Sequence, residues 1–112
     1  MYIRAFAKTD DQSQAIQCGK EMIEAFLGNL WRDQPYEKVE NYWKDNTLTV
    51  IEFSFSELKG KHHFVDALSN ISNKWIWIGS DEVLTSDSID ECVIKYNMAL
   101  INIFLIDSIT IA

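Results

Sequence analysis

Side chains able to do covalent or metal chemistry are few in this chain, and their spacing is poor for it. His62 and His63 are the only histidines. Neighbours on a helix project about 100° apart, so the two do not converge on one metal ion, whereas helical metal sites use an i, i+4 spacing. Titration near neutral pH is the chemistry left to them. Cys18 and Cys92 form no Cys-x-x-Cys pair and have no histidine close in sequence. A nucleophilic thiol needs a base and an orienting acid, so both read as small core residues. The four glycines are scattered and match neither a Gly-x-Ser-x-Gly turn nor a P-loop. Acid pairs are common, at Asp10-Asp11, Asp81-Glu82 and Asp90-Glu91. General acid–base catalysis needs a carboxyl raised in pKa by a cleft, and acids in polar segments stay ionised. Asp81, Asp87 and Asp90 lack the alternation, central glycine and closing glutamate of a calcium loop. The expectation is therefore no catalytic set, no metal and no cofactor.

Recognition is the other chemistry on offer, and residues 74–91 carry it. Trp75-Ile76-Trp77-Ile78 reads as a buried strand, Gly79-Ser80 as a turn, and the next residues bring Asp81, Glu82, Asp87, Asp90 and Glu91 with no base among them. Trp75 and Trp77 share one face of that strand, and Ile76 and Ile78 the other. If helices cover only one side of the sheet, one pair is left exposed. Exposed tryptophans are frequent anchors in protein interfaces. Trp43, on a preceding hairpin, would extend such a patch. The competing reading is that a second layer covers these rings, because large aromatics dominate the core of a small domain.

Charge narrows the partners. The chain has 10 basic and 17 acidic residues, a net charge of −7. Six acids and one base lie in residues 81–112, against 11 acids and nine bases before them. There is no run of Lys or Arg to hold nucleic acid, and an anionic membrane would repel this surface. A basic protein would be attracted, with charge acting mainly on encounter and specificity. The same acidity also serves solubility. The cysteine usage and the absence of a signal-like N-terminal segment point to the cytoplasm, and the apolar run 98–106 is too short to span a bilayer.

The elements that must position these residues follow from periodicity. A chain of 112 residues reads as one domain and buries roughly 65% of its unfolded surface. Tyr2 to Lys8 alternates, with Ile3, Ala5 and Ala7 on one side. Thr9 with Gln12 predicts a capped helix start, and Ala15, Ile16, Gly19, Met22, Ile23, Phe26, Leu27 and Leu30 give it an apolar stripe running to about Trp31. Pro35 breaks it. Lys38–Lys44 and Thr47–Phe55 read as strands joined tightly at Asp45-Asn46. Glu57 to Lys61 reads as a polar connection, His62–Ser72 as a second helix and Lys74–Ile78 as a fourth strand. Strand, helix, strand, strand, helix, strand predicts an α+β, ferredoxin-like fold: an antiparallel sheet with two helices on one face. For the last third, the capping box Ser88-Ile89-Asp90-Glu91 and the spacing of Cys92, Tyr96, Ala99, Leu100 and Ile103 favour a C-terminal helix over Asp90–Leu105. The β-branched residues there offer an extra strand instead.

In size, acidity and the run Trp75-Ile76-Trp77-Ile78-Gly79-Ser80-Asp81-Glu82 leading to Asp90-Glu91, the chain resembles the small cytoplasmic immunity proteins of bacterial toxin–immunity pairs, including those of contact-dependent inhibition systems. The resemblance is one of format across the whole chain and carries over no residue roles, because those proteins share no motif. It implies a non-enzymatic protein with a cognate toxin, often a basic nuclease, neutralised by a monomer in a tight one-to-one complex. On that expectation Asp81, Glu82, Asp87, Asp90 and Glu91 meet the toxin's basic groove, and Trp43, Trp75 and Trp77 supply the desolvated contact. Two other readings stand beside it. One is a ferredoxin-like ligand-binding domain or enzyme, with the three tryptophans lining a pocket and His62 or His63 moving a proton. The other is a structural subunit whose acidity only solubilises it.

Overall fold

Alternating apolar residues govern more of this chain than helical spacing does, and they build a single sheet. The computed structural model describes residues 1–28, 36–55 and 66–105. Its elements are β1 (Tyr2–Ala7), α1 (Gln12–Leu27), β2 (Tyr36–Asn41), β3 (Thr49–Ser54), a 3-10 turn (Leu68–Asn70), β4 (Ile76–Ile78), β5 (Glu82–Ser86) and β6 (Met98–Phe104). The six strands run in the order β2-β3-β1-β6-β5-β4, every neighbour antiparallel.

The ferredoxin-like expectation is therefore wrong. The described residues contain one α-helix and six strands, so the sheet dominates. Three departures produce this. The predicted second helix is represented only by its end, residues 66–70, which finish in the 3-10 turn; His62 and His63 lie outside the described residues. The acidic stretch after Gly79 is not a loop, because Val83 and Thr85 alternate inward and β5 pairs with β4 and β6. The favoured C-terminal helix does not form. Glu91, Tyr96 and Asn97 take left-handed backbone angles (φ 60°, 62° and 58°), which an α-helix cannot contain. Beyond them β6 fills the open edge of β1, pairing Ile3 with Ile103 and Ala5 with Ile101. A full ladder on a central strand outweighs a short helical period, which alone stabilises little.

Helix α1 follows its apolar spacing. Ala15, Met22, Ile23 and Phe26 are buried, while Gln14, Gln17, Glu21 and Glu24 face water. Its cap is Asp11, not Thr9: the Asp11 carboxylate accepts from the amides of Ser13 (2.9 Å) and Gln14 (3.3 Å). Thr9 Oγ1 instead accepts from the Asp11 amide at 3.1 Å. The helix lies on β1, β2 and β3. Gly19 sets its approach, because a Cβ there would stand 2.9 Å from Phe53 Cζ and 3.1 Å from Ile51 Cδ1.

The core is the layer between α1 and the sheet, built from Ile3, Ala5, Ile51, Phe53, Ile101 and Ile103 together with the buried side of α1. Register places Tyr2, Arg4 and Phe6 on the other face of β1, away from the helix. The turn expected at Asp45-Asn46 is a longer connection between Asn41 and Thr49, in which Asp45 accepts from the Thr47 amide (2.9 Å) and hydroxyl (2.6 Å). No helix among the described residues is long and apolar enough to cross a membrane.

Candidate functional site at the β4 edge

Strand β4 ends the sheet, and its sequence is Ile-Trp-Ile. Ile76, Trp77 and Ile78 are 46%, 44% and 48% exposed. Sequence reasoning left one face of this strand covered; in the structure both are open. Ile76 and Ile78 stand opposite Leu84 and Glu82, on the face away from α1, and Trp77 stands opposite Val83 on the helix side. Because α1 sits over the other end of the sheet, Trp77 keeps nearly half its surface in water.

The chain enters β4 from a network of buried hydroxyls. Thr85 Oγ1, on β5, donates to the Lys74 carbonyl at 2.6 Å and lies 2.6 Å from Ser72 Oγ. Ser72 Oγ also accepts from the Lys74 amide at 3.3 Å. Cys92 Sγ closes the group, 3.4 Å from Ser72 Oγ and 3.3 Å from Thr85 Oγ1. Burial disfavours the Cys92 thiolate, but the hydroxyls of Ser72 and Thr85, a backbone amide at Ser86 and the charge of Lys74 together outweigh it and lower the thiol's pKa. Cys18 goes the other way, raised by burial and by Glu21. Asn73 ties this entry to the following loop, donating to the Glu91 carbonyl (2.9 Å) and accepting from the Val93 amide (2.7 Å).

The five acids separate into two groups. Asp81 lies exposed in the β4–β5 turn, and Glu82 begins β5, where its carboxylate accepts from Asn102 Nδ2 at 2.9 Å. Asp87, Asp90 and Glu91 follow the far end of β5, which puts roughly 14 Å of strand between Glu82 and Ser86. That second group is partly neutralised. Asp87 stands 3.4 Å from Lys8, and Glu91 stands 3.9 Å from Lys74, whose ammonium also donates to the Asp90 carbonyl. Exposed pairs of this kind contribute only ~0.2–1 kcal/mol each.

The tryptophans do not form one patch. Trp75 is half-buried against the core and donates its Nε1–H to the Leu68 carbonyl at 2.9 Å, so it anchors the 3-10 turn. Trp43 is 83% exposed, but it sits beyond β2 at the opposite edge of the sheet, with Lys44 Nζ 5.0 Å from its ring centre. Of the eight residues expected to bind a partner, the β4–β5 hairpin gathers Trp77, Asp81 and Glu82. Ile76 and Ile78 are the members that reasoning passed over. Their signal was the absence of any charge in a strand that had to lie somewhere in the sheet.

A polar row crosses the face away from α1, and nothing in the residue pattern singled it out. Lys38, Glu52, Arg4 and Asn102 are successive cross-strand neighbours. Arg4 Nε stands 3.6 Å from Glu52, and its guanidinium lies 5.1 Å from the Phe6 ring centre. Burial, and then a hydrogen bond to Glu52, push the Tyr2 phenol well above its ordinary range. Within the row only Arg4 and Glu52 are paired; Lys38 turns to Glu40 and Asn102 to Glu82, and the row presents no nucleophile beside a base. Among the described residues, no three of His, Cys, Asp and Glu cluster so as to hold a metal ion. No family model, curated protein or solved structure matches this chain.

Proposed function

We propose that this chain is a non-enzymatic inhibitor of the immunity type, which binds a basic toxin domain in the cytoplasm as a monomer and blocks it. One observation carries the reading: the base-free stretch from Trp75 to Ile94 builds a sheet edge that is apolar on both faces, with Asp81 exposed at its turn. An exposed apolar strand beside acids that have no ion pair among the described residues is a poor solubilising surface but a good contact for a cationic protein. Trp77, Ile76 and Ile78 supply desolvated area, and Asp81 and Glu82 supply local charge complementarity. Asp87, Asp90 and Glu91, displaced along β5 and partly paired, add to the long-range field that speeds encounter with a nuclease-like basic groove. Trp43 and Trp75 take no part in this contact.

The test is co-expression with the toxin domain encoded in the neighbouring reading frame. The wild-type chain restores growth and co-purifies with the toxin in a 1:1 complex. Asp81→Asn with Glu82→Gln speeds dissociation, whereas Asp87→Asn with Glu91→Gln slows association, flattens its salt dependence and leaves the dissociation rate unchanged. Growth arrest that persists despite folded, expressed wild-type chain rules the reading out.

A further inference from the structure

We propose that β4 receives an extended, cationic segment of the toxin as a further strand, pairing main chain to main chain along the edge that no other described strand occupies. This rests on the reading of the chain as a toxin inhibitor and specifies how the contact is made. The two edges of the sheet differ in a way that singles β4 out. Natural sheets protect an edge with charged side chains, which make addition of another strand unfavourable. The β2 edge is protected in this way, with Glu37, Lys38 and Glu40 all exposed in a strand of six residues. The β4 edge carries no charge at all.

Geometry then decides between a ligand lying on a face and one lying along the edge. Ile76 and Ile78 project to one side of the sheet and Trp77 to the other, and all three are exposed to a similar degree. A partner resting on either face would cover only half of this surface. A strand laid beside β4 covers both faces and also satisfies the N–H and C=O groups that alternate residues of an edge strand turn outward. Charge sets the occupant's chemistry. Beyond Ile78 the turn offers Asp81, for which no ion pair is present among the described residues, and no base occurs from Trp75 to Ile94. The occupant is therefore a segment with apolar residues opposite β4 and a Lys or Arg beside Asp81. A second copy of this chain is the poorer fit, because each copy brings a net charge of −7.

The probe is the catalytically inactivated toxin domain of the neighbouring reading frame, with hydrogen–deuterium exchange followed on the full chain. On complex formation the outward amides within residues 76–78 slow by roughly tenfold or more, as for newly formed ladder bonds. Trp77→Pro and Ile78→Pro sharpen the test, since an edge strand tolerates proline only where its N–H points to solvent. The variant that folds binds the toxin more than about tenfold more weakly than the alanine variant at the same position, because it lacks the outward donor. Tight binding with unchanged exchange at 76–78, or a folded proline variant that binds as the matching alanine variant does, overturns strand addition and leaves the inhibitor reading intact. Failure of the wild-type chain to bind the toxin overturns the inhibitor reading itself. A dimeric mass for the chain alone, with these amides already protected, assigns the edge to self-association and overturns the proposal.

Discussion

Thr85→Val tests the device that holds β4 in place. Thr85 is fully buried, and its hydroxyl donates to the Lys74 carbonyl while bonding Ser72 Oγ. Valine keeps the volume and the β-branched shape but removes both interactions. Ser72 Oγ stands 3.2 Å from the same carbonyl and can turn to serve it, so one acceptor is rescued and one hydroxyl contact is lost. That leaves a cost of about 1–2 kcal/mol, the range for a buried hydrogen bond removed from one side. In a domain of this size it lowers the melting temperature by roughly 5–10 °C. Thermal unfolding followed by near-ultraviolet circular dichroism suits the measurement, since Trp75 and Trp77 flank the site. A second readout separates loss of the hydroxyl from general loosening. Thr85 Oγ1 lies 3.3 Å from Cys92 Sγ, and when the thiol ionises the hydroxyl can turn its one proton from the Lys74 carbonyl to the sulfur and stabilise the thiolate. Thr85→Val therefore slows iodoacetamide alkylation of Cys92 at neutral pH, whereas Thr85→Ser, which keeps the hydroxyl, does not. A valine variant that melts within about 1 °C of the wild type and alkylates at the same rate would refute the hydroxyl network.

The remaining predictions concern the core, the thiols and the edge. Gly19→Ala gains about 1 kcal/mol in helix propensity, but its methyl meets the Phe53 ring at 2.9 Å in a closed core. Overpacking costs ~1–3 kcal/mol, so the urea midpoint falls; a rise shows that α1 can move off the sheet. The alkylation rate of Cys92 rises at lower pH than that of Cys18, because Cys92 is lowered and Cys18 raised; mass spectrometry of each labelled peptide reads the order, and reversal refutes the assigned environments. On the proposed inhibitor reading, Trp77→Ala weakens toxin binding by ~100-fold. With 44% of a ring side chain of roughly 250 Å² in water, about 110 Å² is available to the partner. At ~25 cal/mol per Å² that area contributes about 2.7 kcal/mol. Titration calorimetry checks it, and an affinity within twofold of wild type removes Trp77 from the contact.

Part of this architecture was legible in the residue pattern, and the part that was not has a physical cause. Helix α1 shows itself because Ala15, Gly19, Met22, Ile23 and Phe26 fall three and four apart with polar and charged residues between them. Strand β1 shows itself in Ile3, Ala5 and Ala7, and β3 in Ile51 and Phe53. β5 was hidden because its inward set is Val83 and Thr85, and threonine counts as polar in any alternation. Yet that hydroxyl is buried and paired, so it behaves as core. β6 was hidden by a false start signal: Ser88 and Glu91 have capping-box spacing, but Glu91 sits at φ 60° and cannot continue a helix. What favours the strand lies far away in sequence, in the unfilled edge of β1. Local spacing carries no record of such a vacancy.

The candidate site was legible in the same uneven way. Composition located the unusual stretch, but treating residues 81–91 as one acidic segment missed that β5 runs through it. A strand inside the stretch divides its charge into a turn beside β4 and a loop beyond β5, where Lys8 and Lys74 take up part of it. The division changes what the acids can do. At physiological salt the field of an exposed charge decays over about 8 Å, less than the strand length between the two groups, so they cannot hold one cation together. On the proposed reading, Asp81 and Glu82 act at the contact and the loop acids act on the approach. The apolar edge is hazardous to a lone domain, since Ile-Trp-Ile without a guarding charge invites pairing with a second copy. Its brevity and the chain's net −7 oppose that pairing at long range while favouring a cationic strand. Under the proposed strand addition, the acidity and the bare edge form one arrangement: the charge discriminates among the strands that the edge would otherwise accept.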